Sequence, residues 1–230
     1  AQTVAAIERA KADPSPYYVR PASTNVVEIV RGGETSADSE PVVADPYIVA
    51  SVPGFSVPIH EVPRSKLAEA IAKIVRVESP VHVDEAARRI LDASGVSRMG
   101  SRIREAIDGA VNAAVQKGEV LLLDDFLFRP SQGASDILPR DRSALASGSR
   151  SFELIAHEEV QAAIREVISS SFGIATVELA PVVCQMLGFG QTSDAMRTII
   201  EGDLYDLQST GVVSERQGML HLNSMDSTDV

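Results

Sequence analysis

A shift of 93 positions lays one part of this chain over another without a gap. Ser94–Gly118, SGVSRMGSRIREAIDGAVNAAVQKG, falls on Leu187–Gly211, LGFGQTSDAMRTIIEGDLYDLQSTG. In that register Gly95 meets Gly188, Arg104 meets Arg197, Ile107 meets Ile200, Gly109 meets Gly202 and Gly118 meets Gly211. The register continues on both sides, where Ala70, Ile71, Glu85, Ala87, Val120 and Leu127 meet Ala163, Ile164, Glu178, Ala180, Val213 and Leu220. The eleven identities are few, but they sit where a fold would need them. Two copies of one small domain follow, and a copy pair constrains the architecture more than any local motif.

The 230 residues, 44% of them apolar, suffice for two cores. Only 4% are aromatic and none is Trp, so those cores are expected to be aliphatic. A single cysteine, Cys184, excludes an internal disulfide and points to a reducing, cytoplasmic setting. Within its apolar helical pattern it reads as a small buried hydrophobe rather than a nucleophile. No apolar run approaches the ~18 residues of a membrane span, so no membrane partner is expected. The chain opens at Ala1 rather than Met and reads as a piece of something larger.

The net charge of −11 is unevenly spread. Residues 58–130 hold eleven Lys/Arg against eleven Asp/Glu, whereas residues 151–223 hold three against ten. Scaffolds of one design with such different fields are not expected to share a partner.

In chain order, residues 1–57 read as a Pro/Gly-rich extension or linker, with a helix at Thr3–Ala12 and extended pieces at Asn25–Val30 and Tyr47–Val52. Copy one spans 58–130. Leu67, Ala70, Ile71, Ile74 and Val75 recur at helical spacing after Pro63, which suits a first turn. A second helix opens on Asp84-Glu85, where the macrodipole favours acids, and Gly95 closes it. Ser97 or Ser101 is expected to cap a third, whose Ile103, Ile107, Ala110, Val111 and Ala114 share one face. Glu119–Leu123, Asp124-Asp125 and Phe126–Phe128 then read as a hairpin. Residues 131–150 read as a polar connector, 151–223 as an acidic second copy whose middle helix starts late or kinks at Pro181, and 224–230 as a disordered tail. The fold expected is mainly α with small β-hairpins (α+β), as tandem winged helix-turn-helix domains.

The segments FSVPIHEVPRSKLAEAI, ESPVHVDEAARRI and above all GVSRMGSRIREAI resemble a small C-terminal domain of unknown function found at the end of very large bacterial helicase-like proteins. LPRDRS, EEVQAAI and LGFGQTSDAMRTII are similar to the segment following the very-short-patch-repair-like endonuclease domain that many of them carry. The resemblance covers about Pro58–Leu222 and implies the tail of a DNA-processing or phage-defence enzyme. It implies no catalytic residues for this part.

The residues themselves point away from catalysis. There is no G-x-x-x-x-G-K-[ST] loop, and the four histidines, His60, His82, His157 and His221, stand singly without metal-ligand spacing. His60 and His157 fit local capping at helix starts, and Asp124-Asp125 fits a turn. No catalytic residue, metal or cofactor is expected. The candidates are contacts. Arg98, Ser101, Arg102 and Arg104 cluster at the front of the third helix, where phosphates are favoured, although Glu105 and Asp108 follow on its exposed face. In copy two that face carries Asp194, Glu201 and Tyr205, expected to meet protein: copy one, other domains of the parent, or a second chain. Two readings follow, a weak non-specific DNA contact through copy one, or a pure protein-interaction module on the same scaffold.

Overall fold

A computed structural model describes residues 44–171 and 173–223. The expected helix at Thr3–Ala12, the piece at Asn25–Val30 and the tail 224–230 lie outside the described residues. Roughly half of the described chain is helical and the rest includes small sheets, an α+β fold.

Helix α1, Arg64–Glu78, follows Pro63, whose extended ψ of 132° places it just before the helix. Leu67, Ile71, Ile74 and Val75 are buried along one stripe. A two-residue strand β2, Val81–His82, leads into α2, Val83–Ala93, and a turn past Gly95 leads into α3, Ser101–Gln116. Strands β3, Leu121–Leu123, and β4, Phe126–Phe128, form a hairpin whose second strand returns to pair antiparallel with β2. The order is therefore β2-β4-β3, and Val81 and Leu127, directly opposite, both face the core. Each fully buried Leu or Ile there, such as Leu67, Ile71, Ile90 and Ile107, contributes about 1.5–3 kcal/mol of burial.

The second half repeats this plan in the predicted register. Helix α4, His157–Ser170, precedes β6, Ile174–Ala175, and α5, Thr176–Met186. Then come α6, Asp194–Ser209, and the hairpin of β7, Val213–Arg216, and β8, Met219–Leu222, giving the order β6-β8-β7. The pairs carry the shift as well: Val81↔Leu127 becomes Ile174↔Leu220, and Leu123↔Phe126 becomes Arg216↔Met219. One aliphatic core gathers around Ile71, Ile74, Ile90 and Ile107, another around Ile164, Ile168, Leu179 and Ile200. Cys184 is fully buried in the second.

Pro181 does not delay α5, which starts at Thr176 as α2 starts at Val83. The carbonyl that loses its donor is that of Val177, a residue 75% exposed, where solvent can reach it, so the missing bond costs little.

Residues 131–150 are not a free tether. Arg140–Asp141 forms β5, which pairs in parallel with β1, Asp45–Pro46. Ile137 is buried with Phe128 of the first hairpin, Ala156 at the start of α4 and Ala162 within it, a small third core joining the halves. Among the described residues, strand character before the first unit is limited to Asp45–Pro46; the expected piece at Tyr47–Val52 is irregular, and the Ala50 N–H goes to the Glu78 carboxylate rather than to a strand.

Candidate nucleic-acid interface

The front of α3 begins at Gly100, which occupies the cap position without a side chain to accept a backbone N–H. Ser101 is the first helical residue and caps nothing, which corrects the expected serine cap. The equivalent of Gly100 in α6 is Ser193, whose hydroxyl accepts from the Met196 N–H at 3.2 Å. The first unit thus leaves its helix N-terminus open. Arg98, Ser101 and Arg102 are exposed around it, and the two arginines form no ion pair among the described residues.

Arg104 is different. Its guanidinium lies 2.7 Å from the Asp84 carboxylate at the start of α2, so its charge is balanced locally. Both line a pocket of about 420 Å³, with Arg88, Asp92, Ser97 and Met99 around it. Further along α3, Glu105 and Asp108 are exposed as expected, and Arg64 from α1 shares their groove. Gly109 leaves room for it, since a Cβ there would sit 3.2 Å from Arg64 Nε and the arginine would have to shift slightly. The repeated glycine was the signal, but its meaning depends on which side chain crosses it.

On α6 the residues Asp194, Glu201 and Tyr205 are exposed, Tyr205 at 69%, and lie along one face at spacings of seven and four. The counterpart of Arg64 is His157, which does not cross Gly202. Its Nδ1 lies 3.0 Å from Asp203 Oδ1, where copy one has Ala110. Asp203 is 2% exposed, and burial pushes its carboxyl above the usual range although His157 opposes the shift. An acid on the apolar stripe Ile200, Asp203, Leu204, Leu207 was a legible sign that a partner must exist. His157 therefore orients on Asp203 rather than capping a helix; the capping histidine is His82, whose Nδ1 accepts from the Asp84 N–H. The Asp203–His157 pair resembles an oriented base, yet the pocket it faces has no hydroxyl or thiol among its lining residues.

A buried ionic cluster that the sequence did not announce ties these surfaces together. Glu159, fully buried near the start of α4, accepts paired hydrogen bonds from Arg142 at 2.8 and 2.7 Å and from Arg140 at 3.1 and 2.5 Å. Arg140 also donates to the carbonyls of Glu78 and Pro80 at 2.7 and 2.8 Å, so one guanidinium grips the end of α1 and the start of α4 together. Glu78, equally buried, accepts from Arg89, from the Tyr47 hydroxyl and from the Ala50 N–H. Arg140 and Arg142 stack over the Tyr47 ring at 4.5 and 4.9 Å. Burial alone would raise the Glu159 carboxyl, but Arg142 and Arg140 outweigh it and hold it below the usual range. Glu85 lies 3.0 Å from Arg89 and 3.2 Å from Arg88 without an aligned hydrogen bond. Glu159 and Glu78 are thus satisfied by hydrogen bonds, whereas the buried Glu85 carboxylate is held by ion pairing alone. The cluster's sequence trace, the Arg-x-Arg of LPRDRS, looks like any polar loop.

Residues 58–105, from the approach to α1 through the first turn of α3, match a family described as a protein of unknown function (DUF3320). The chain thus contains a domain of unknown function over that stretch. No curated protein and no solved structure matches it. Among the described residues no helix is long and apolar enough to cross a membrane.

Proposed function

We propose that the chain is a non-catalytic accessory module of a larger DNA-processing protein. It consists of tandem winged helix-turn-helix domains over 58–130 and 151–223, the first touching DNA weakly and the second touching protein. In support of the fold, each half has a helix, a short strand, two helices and a hairpin whose second strand returns to the short one. The helicase-type parent rests on the resemblance of the segments around Pro80–Ile107. One observation carries the division of labour: on matching backbones, Arg98, Ser101 and Arg102 of copy one are replaced by Gln191, Asp194 and Ala195 of copy two.

Magnitude sets how weak the DNA contact is. Each phosphate neutralised adds roughly 0.9 to the salt slope, so with Arg104 committed to Asp84 the two free arginines give about −2 rather than about −3. Such binding is useful beside a stronger DNA-holding engine. Fluorescence anisotropy with duplex and single-stranded DNA at two salt concentrations is expected to show that shallow slope, and an Arg98→Ala/Arg102→Ala variant to lose it. Absence of binding at low salt removes the DNA contact.

The second reading is a pure protein-interaction or structural module. Asp124-Asp125 favours it, because these exposed acids stand at the hairpin tip, where a wing would meet the phosphate backbone.

A further inference from the structure

Strand β3 is the outer strand of its sheet, and no described strand pairs with its free edge. It carries Leu121, Leu122 and Leu123, which are 42%, 37% and 54% exposed. Outer strands normally defend themselves with charge, since their free N–H and C=O groups template another strand. The equivalent β7 does so, with Ser214, Glu215 and Arg216. Copy one leaves three leucines there instead.

What flanks those leucines selects an occupant. Glu119 stands before the strand and Asp124-Asp125 after it, all exposed. Leu121 and Leu123 lie opposite Phe128 and Phe126, on the sheet face turned toward the second half. There a groove of about 500 Å³ is lined by Leu123, Asp124 and Asp125 and, from the other side, by Glu153, Glu158 and Asp206. His82 and His157 are its only basic lining residues. A second copy fits poorly: antiparallel self-pairing centred on Leu122 would set Glu119 against Asp125 and place Asp124 near its acidic neighbours. A nucleic acid would meet five carboxylates in the groove.

We propose that β3 is a docking edge for an extended protein segment with a short apolar run flanked by Lys or Arg. The segment adds as a fourth strand, its apolar residues cover Leu121–Leu123, and its basic ends meet Glu119 and the acidic groove. This site differs from the α6 face and from the arginines of α3, and it holds whether or not DNA binds.

The test uses the full chain and a labelled heptapeptide, Lys-Lys-Val-Ile-Val-Lys-Lys, acetylated and amidated. Two controls replace its core with Gly-Ser-Gly or its lysines with Glu. The parent peptide is expected to bind and to shift the amide resonances of residues 121–125, while both controls bind at least about tenfold more weakly. Leu121→Ser/Leu123→Ser is expected to weaken binding about tenfold, and Asp124→Asn/Asp125→Asn several-fold with a loss of salt sensitivity. The wild-type amide map needs no variant to fold. No binding, equal binding of the Gly-Ser-Gly control, or shifts confined to other surfaces would overturn the proposal. So would a concentration-dependent dimer in sedimentation that the leucine substitutions abolish, since the edge would then belong to a second copy.

Discussion

The two halves of this chain share a backbone register and differ in what they do with charge. In the first, the buried charges Glu78, Glu85 and Arg89 gather at the end of α1 and on α2, while Lys66 is exposed on α1 and the uncharged Ala110 sits on the inner face of α3. In the second, the same positions are Glu159 and Asp203, both buried acids. At these matched positions a buried acid is tolerated where a neighbouring side chain pairs with it. Arg140 and Arg142 supply the counter-charge to Glu159 from the segment between the halves, whereas Asp203 has the His157 ring as a hydrogen-bond partner at 3.0 Å.

That comparison is open to direct tests at equivalent positions, and the largest effect is expected at the ionic cluster. Glu159→Ala leaves two guanidiniums without their acid and is expected to cost about 3–5 kcal/mol in urea unfolding. Lys66→Ala, the matching change in copy one, is expected to stay within about 0.5 kcal/mol. Equal costs would show that the buried acid is incidental.

The matched turn glycines come next. Gly95 and Gly188 both hold positive φ, 67° and 88°. A Cβ at Gly95 meets nothing within 4 Å, so Gly95→Ala is expected to cost about 1–2 kcal/mol for the backbone conformation alone. At Gly188 the same Cβ would overlap Asp141 Oδ1 and the backbone nitrogens of Ser143 and Arg142. Those groups cannot withdraw without loosening the Arg142 N–H bond to the Leu187 carbonyl, so Gly188→Ala is expected to cost clearly more. Comparable melting midpoints for the two variants would break this distinction.

The buried acids should also respond oppositely to pH. The Glu159 carboxyl titrates lower in the folded chain than the roughly 4.3 of an unfolded glutamate, so its contribution is present above that pH and lost as pH falls through the folded value. The Asp203 carboxyl titrates higher than the roughly 3.9 of an unfolded aspartate. The folded chain then keeps a proton that the unfolded chain has released, and this contribution is lost as pH rises through the folded value. Urea midpoints of Glu159→Gln and Asp203→Asn against wild type, from acid to neutral pH, should diverge in opposite directions. Parallel profiles would contradict the assignment.

The smallest effect concerns the helix fronts. Gly100→Ser would give α3 the cap that Ser193 gives α6, a gain of a few tenths of a kcal/mol, while Ser193→Ala loses about 1 kcal/mol. Thermal midpoints resolve the second, and the first sharpens whether the bare front of α3 is a cost the chain carries.

How much was legible depended on how local each signal was. The stripe Leu67, Ile71, Ile74 predicts α1 because helical periodicity is written within a few residues. The hairpin around Asp124 was legible too, since a short acidic turn between apolar runs has a local cause; Asp124 adopts φ 49° there. The candidate arginines were placed on the right helix end, but that Arg104 faces Asp84 could not be read, because the two lie twenty positions apart on different helices. Pro181 misled because helix starts are judged by local rules, whereas here the carbonyl that loses its donor lies on the solvent-exposed side.

By itself the sequence determined the 93-position register, the α+β character and the contrast of charge between the halves, because periodicity, glycine placement and residue counts are properties of the chain alone. Tertiary structure alone decided that the segment around Arg140 and Arg142 is a clasp, that Glu159 and Glu78 are buried, and that Leu121–Leu123 form an open edge. The reason is physical. A guanidinium or a strand edge has the same local sequence whether it meets water or a buried carboxylate, and only the folded neighbours determine which.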